Sequence, residues 1–172
     1  MQSIALRLNR AIYIYASDPG ARRPMPEPTP GLDLDDFLCF ALHSAAQAAV
    51  RANKPALDGL GLTYPQYLAM VALWAEDGQT VGGLGAKLFL ESSTLTPLLK
   101  RLEAAGLVRR ARCAEDERQV RVRLTEKGKA LREEARKHRP AWVARAFDDP
   151  EGAKALKEGV VTLRDRLLAG QE

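Results

Sequence analysis

Between Thr80 and Arg123 the spacing of apolar residues changes twice, and the rest of the chain is arranged around that stretch. Val81, Leu84 and Leu88 recur at helical steps behind Thr80, whose hydroxyl can cap a short helix. A second helical stripe follows in Leu95, Leu98, Leu99 and Leu102, with Ser92 or Ser93 as its N-cap and Gly106 as its terminator. The outward face of this helix carries Ser93, Thr94, Thr96, Lys100 and Arg101. Short hydroxyls at a helix N-terminus, with cations one turn further on, suit a DNA major groove flanked by phosphates. After Gly106 the apolar period drops to alternation. Val108 to Arg112 and Val120 to Leu124 interleave apolar and basic residues around the polar segment Ala114 to Arg118, a β-hairpin pattern. The stretch predicts a helix-turn-helix followed by a two-stranded wing.

Upstream, residues 17–31 hold five prolines and two glycines and predict a linker without regular structure. Residues 1–16 give no firm element, and 1–31 is taken as an extension in which 1–24 is expected to be dispensable. The winged-helix domain is expected over 32–172, its DNA-binding lobe at about 62–125 and its dimerisation helices at about 33–60 and 126–170. Leu34, Phe37, Leu38, Ala41, Leu42, Ala45, Ala48 and Ala49 predict one long amphipathic helix capped by Asp33 or Asp35. Pro55 is expected to kink that helix or start a new turn, and Gly59 and Gly61 to break the chain after it. Thr63 caps a second helix, Gln66 to Ala75, with Pro65 in its first turn. That helix carries Tyr67, Leu68, Met70, Val71, Leu73 and Trp74 and is expected to be buried on most sides. Beyond the wing, Thr125-Glu126-Lys127-Gly128 opens a helix reaching Glu134, and polar, charged residues run on to Arg139-Pro140. A last helix spans about Pro150 to Ala169, with Leu156, Val160, Leu163 and Leu167 as its stripe. The first and last stripes exceed what one winged unit can cover. They point to a two-fold homodimer that offers two reading helices to successive major grooves.

Charge sharpens the picture. Residues 82–128 hold ten Lys or Arg against six Asp or Glu, a difference of 10 − 6 = +4, equal to the formal net charge of all 172 residues. The basic excess is therefore concentrated in the predicted reading unit. A merely solvated helix with a charged surface hairpin is the alternative, and the combination of motif and charge favours double-stranded DNA. No apolar run is long enough to span a membrane. Arg7, Asn9 and Arg10 interrupt Met1 to Ala16, so no secretory core is recognised and a cytoplasmic location is expected. Two cysteines in that compartment are more often reduced thiols than a bridge. Gly82, Gly83 and Gly85 sit inside a helical pattern and match no phosphate loop, and neither metal-ligand nor triad spacing is present. Neither an enzyme nor a cofactor is expected.

The reactive candidate is Cys39. It lies one residue off the apolar stripe, with His43 four residues on and facing the same side. A neighbouring imidazolium favours the thiolate, whereas Asp35 and Asp36 oppose it. A small buried hydrophobe, the usual role of a lone cysteine, is the alternative. Cys113, among arginines at the base of the wing, is expected to be an exposed and incidental thiol.

Several runs together resemble the MarR family of winged helix-turn-helix regulators, and within it the organic-hydroperoxide-sensing repressors. They are Leu38-Cys39-Phe40-Ala41-Leu42, Leu62-Thr63-Tyr64-Pro65-Gln66-Tyr67, Thr94 to Glu103, Glu115-Asp116-Glu117-Arg118 and Leu124-Thr125-Glu126-Lys127-Gly128. The resemblance covers about Leu34 to Ala169. It implies a mainly α fold with a small β wing, dimerised through N- and C-terminal helices. It also implies a repressor that leaves a pseudo-palindromic operator when its N-terminal cysteine is oxidised by an organic hydroperoxide. Cys39 takes the sensing position, and Tyr64 that of a tyrosine hydrogen-bonding the sulfur across the dimer. Ser92, Ser93, Thr94, Thr96 and Lys100 fall on the recognition helix, and Asp116 and Arg118 on the wing. Arg118 suits a narrow minor groove, and Asp116 is expected to orient a nearby arginine. The sequence departs from the group in carrying His43 and Asn53 where tyrosines are usual, and Cys113 does not match a resolving position. Two other readings stay open: a regulator released by a small phenolic or aromatic ligand between its dimerisation and DNA-binding parts, and an interaction module that binds no DNA.

Overall fold

A computed structural model describes residues 33–113, 116, 118–137, 143, 146–147 and 149–170. The expectations for residues 1–31, for hairpin positions 114, 115 and 117, and for 138–140 lie outside the described residues. The chain divides after Phe40 into two units, each taken by itself. Residues 33–40 hold a 3-10 turn, Leu34–Asp36, and the start of helix α1, Leu38–Leu60. The single helix expected from Leu34 is therefore two pieces. The Asp33 carboxylate accepts from the Asp35 N–H at 3.1 Å, and Phe37 is extended at φ −89, ψ 112. Helical bonding is interrupted there and restarts at Leu38.

From Ala41 onward the chain holds the remaining elements. Helix α1 runs through Pro55 and on past Gly59 to Leu60, so the break expected at Gly59 does not occur. Burial of Leu57 and Leu60 stabilises by roughly 3–6 kcal/mol. That outweighs the cost of about 3 kcal/mol for one interior proline. Gly61, at φ 65, is the stop. Helix α2, Tyr64–Ala75, starts behind Thr63, whose N–H donates to Gln66 Oε1 at 2.8 Å. Ala69, Met70, Ala72 and Leu73 are buried in the core as expected, and Val71, at 40% exposure, lies on the open side of α2.

Helix α3, Val81–Leu88, is capped by Thr80 Oγ1, which accepts from the Gly83 N–H at 3.0 Å. Helix α4 covers Ser92–Ala104, and its N-cap is Glu91 rather than either serine. Glu91 keeps extended dihedrals while its carbonyl accepts from the Thr94 and Leu95 N–H groups at 3.0 Å, so both serines are already helical. Gly106, at φ 72, turns the chain into strand β1, Val108–Arg112. Strand β2, Val120–Leu124, pairs antiparallel with it, from Val108 opposite Leu124 to Arg112 opposite Val120. Both strands have the predicted bounds. Helix α5, Glu126–Lys137, runs past the expected end, and Thr125 Oγ1 accepts from the Gly128 N–H at 3.0 Å. Helix α6, Pro150–Ala169, is capped by the Asp149 carboxylate, which accepts from the Gly152 N–H at 2.6 Å.

Met70, Leu73, Leu84, Leu95, Leu99, Leu102, Val108 and Val122 are fully buried, so α2, α3, α4 and the hairpin share one core. Helix α6 contributes no buried residue, and its Leu156, Val160 and Leu167 are exposed. Among the described residues no helix is long and apolar enough to cross a membrane.

Candidate nucleic-acid interface and cysteine site

The reading helix is aimed by the turn before it. Phe89 ends α3 in the left-handed region at φ 55, ψ 42, and the Leu90 N–H returns to the Gly85 carbonyl at 2.9 Å. A Cβ on Gly85 would stand 2.8 Å from the Leu90 carbonyl oxygen, so the sharpness of this turn depends on glycine there. With Leu95, Leu98, Leu99 and Leu102 turned into the core, α4 presents Ser92, Ser93, Thr94, Lys100 and Arg101 to solvent, with Thr96 half-buried. The structure thus gathers the sequence-predicted helix residues on one accessible face. Its N-terminal N–H groups and hydroxyls can donate to phosphate or to base edges.

The hairpin divides its arginines by role. Arg109, Arg112, Arg118, Arg121 and Arg123 are exposed. Arg110 is turned inward, opposite buried Val122, and its Nε donates to Glu103 Oε2 at 2.8 Å. The Arg110 guanidinium beside it holds the Glu103 carboxyl below the usual carboxylate range, chiefly through that hydrogen bond. Asp116 accepts from the Arg118 N–H at 3.0 Å and from Gln119 Nε2 at 3.0 Å, which shapes the turn that carries Arg118. Cys113 is buried at 5% exposure, where exposure was expected. Its N–H donates to the Gln119 carbonyl at 2.9 Å, one residue beyond the Arg112–Val120 pair.

Sequence reading missed the supports of this unit. Arg121 donates to the Gly78 carbonyl at 2.9 Å, and the Val122 N–H donates to Gln79 O at 2.9 Å, which fastens β2 to the segment before α3. Lys127 Nζ donates to the Ala105 carbonyl at 2.9 Å at the end of α4. Glu103 had one sequence signal: it is the sole carboxylate within α4.

Cys39 is exposed in the first turn of α1, contrary to the buried-hydrophobe alternative. His43, one turn along the same helix, is also exposed. Tyr64 is half-buried and opens α2. Asn53 Nδ2 donates to the Ala49 carbonyl at 2.8 Å, so this amide is turned back on its own helix. Among the described residues no His, Cys, Asp and Glu cluster could hold a metal ion.

Comparison with known proteins places this arrangement. The profile of the family described as transcriptional regulator SarA/Rot matches residues 51–135. The organic hydroperoxide resistance transcriptional regulator of Bacillus subtilis is 41% identical over 136 residues, which cover 79% of this chain and 92% of that protein. The HTH-type transcriptional regulator TtmR of Methylorubrum extorquens is 57% identical over 99 residues, 58% of this chain. That match spans about half of the relative, 51% of its length. The crystal structure of AbfR of Staphylococcus epidermidis aligns with a TM-score of 0.67 at 34% identity, covering 79% of this chain and 94% of that one. Overoxidized AbfR bound to DNA aligns at 0.65 and 33% identity, covering 78% and 94%.

Proposed function

This chain belongs to the SarA/Rot family of MarR-type winged-helix regulators, and from that premise we propose that it is a homodimeric repressor released from DNA when an organic hydroperoxide oxidises Cys39. That it is a DNA-binding transcriptional regulator follows from its relatives. The single observation that carries the inducer is Cys39, exposed at the head of α1 in a chain 41% identical to a hydroperoxide-resistance regulator. The Cys39 thiolate attacks the outer peroxide oxygen, the O–O bond breaks, and the alkoxide leaves as an alcohol after taking a proton. Sulfur loses two electrons and becomes a sulfenic acid, which a small thiol converts to a mixed disulfide with release of water. Exposed Leu38 and Phe40 in one unit, and Leu156, Val160 and Leu167 in the other, supply apolar surface for a second copy.

The test is a mobility shift on a duplex that the protein itself selects from a random pool. Cumene hydroperoxide should release the wild type, and Cys39→Ser should stay bound. Release of Cys39→Ser to the same extent would sink the redox reading.

A second reading is favoured by one observation. A shallow groove of about 260 Å³ runs between α2 and α5, lined by Tyr67, Val71, Trp74, Ala75, Arg132, Ala135 and Arg136. Tyr67 meets Trp74 edge-on at 6.2 Å, and the aromatic wall with two guanidinium groups suits a small aromatic anion. The same assay with an aromatic carboxylate, applied to Cys39→Ser, separates this release from the redox one.

A further inference from the structure

Reading DNA with α4 and the hairpin together requires a fixed angle between them, and this inference rests on that DNA-binding reading. The two elements are linked through Ala105, Gly106 and Leu107, a turn fastened by the Leu107 N–H to the Leu102 carbonyl at 3.0 Å and by Thr125 Oγ1 to the Gly106 carbonyl at 2.6 Å. Across that turn one carboxylate takes three contacts from one residue. The Arg110 N–H donates to Glu103 Oε1 at 2.8 Å, its Nε to Oε2 at 2.8 Å, and its terminal NH2 lies 2.7 Å from Oε2. The backbone bond fixes where β1 passes the helix. The guanidinium closes Nε and a terminal NH2 on the single oxygen Oε2, which fixes the roll of the strand against the helix.

Both side chains are partly withdrawn from solvent, Arg110 at 23% and Glu103 at 34% exposure. Arg109 and Arg112, its neighbours along β1, are exposed. An arginine held inward by a carboxylate is not presented to phosphate. We propose that Glu103 and Arg110 are positioning residues of the DNA-binding unit: their clamp sets the pitch of the wing against the recognition helix and so delivers Arg118 to the duplex.

This role has a sign that simple charge does not share. Removing a carboxylate near a polyanion strengthens binding if electrostatics alone acts, and exchanging Arg for Lys leaves the charge unchanged. A clamp behaves otherwise, because either change breaks the fork. Glu103→Gln, Arg110→Lys and the double variant are compared with wild type on a duplex that the wild type selects from a random pool. Affinity is expressed per DNA-competent dimer by active-fraction titration, so that unfolded protein drops out of the comparison.

Each single variant should bind about fivefold more weakly or worse, with the double variant no weaker than the worse single by more than about twofold, as for residues acting as a unit. Footprints should lose the outer minor-groove protection and keep the centre. Glu103→Gln binding as tightly as wild type or tighter would overturn the clamp. So would a double variant whose loss is the product of the two singles, or a footprint that fades uniformly. A wild type that selects no duplex would sink the DNA-binding reading and the clamp with it.

Discussion

Gly128 is held where no other residue has room. A Cβ there would overlap the Leu107 carbonyl oxygen and crowd the Leu124 side chain at 3.3 Å. Its own carbonyl accepts from Trp74 Nε1 at 2.8 Å, so one residue joins α2, α5 and the entry to the hairpin. Gly128→Ala should destabilise by about 1–3 kcal/mol, the cost of overpacking against backbone that cannot rotate away. Gly82 is the control, since nothing lies within 4 Å of a Cβ built there and it sits in helix α3. Gly82→Ala should stabilise by about 0.5–1 kcal/mol through reduced chain entropy. Urea denaturation of both checks the contrast; two variants of equal stability would show that the close approach is not rigid.

At the scale of elements, α6 is well made locally and unsupported globally. Asp149 caps it, Pro150 opens it and a leucine-valine stripe runs along it, yet none of its residues is buried. A helix of this length draws most of its stability from packing of its apolar face, so the face calls for a cover that the described residues do not supply. If a second copy is that cover, Val160→Asp should shift the protein from dimer to monomer in sedimentation velocity. Its helical circular dichroism should fall by no more than the share of α6, because Val160 is not part of the buried core of the other helices. A variant that still sediments as the dimer would place the interface elsewhere. The stripe was legible in the sequence, as it is local. The partner of the stripe was not.

For the whole molecule, the basic excess lies on the reading unit, but it is not uniformly available. Arg110 is paired with Glu103 and Lys87 with Glu76, while Lys100, Arg101, Arg112 and Arg118 are exposed. Binding to duplex DNA should weaken steeply with salt, because each neutralised phosphate releases counterions. Arg118→Ala should lower the slope of log affinity against log salt by about 0.9 per protomer if Arg118 meets a phosphate. Its lost protection should fall at the outer minor-groove positions of a footprint. An unchanged slope with uniform loss of protection would remove Arg118 from the interface.

Local rules carried far in this chain. Thr80, Gly106 and Thr125 mark boundaries with their own side chains or backbone freedom, and the interleaved apolar and basic residues of Val108–Arg112 and Val120–Leu124 marked both strands. These signals act within a few residues, so reading in order recovers them. Contacts between distant segments decided the rest. Pro55 is passed because Leu57 and Leu60 are buried, Cys113 is buried although Arg112 beside it is exposed, and Arg110 leaves the basic face because Glu103 holds it. Each outcome is an energy balance between a local preference and a partner elsewhere in the fold, and only the folded chain brings the two together.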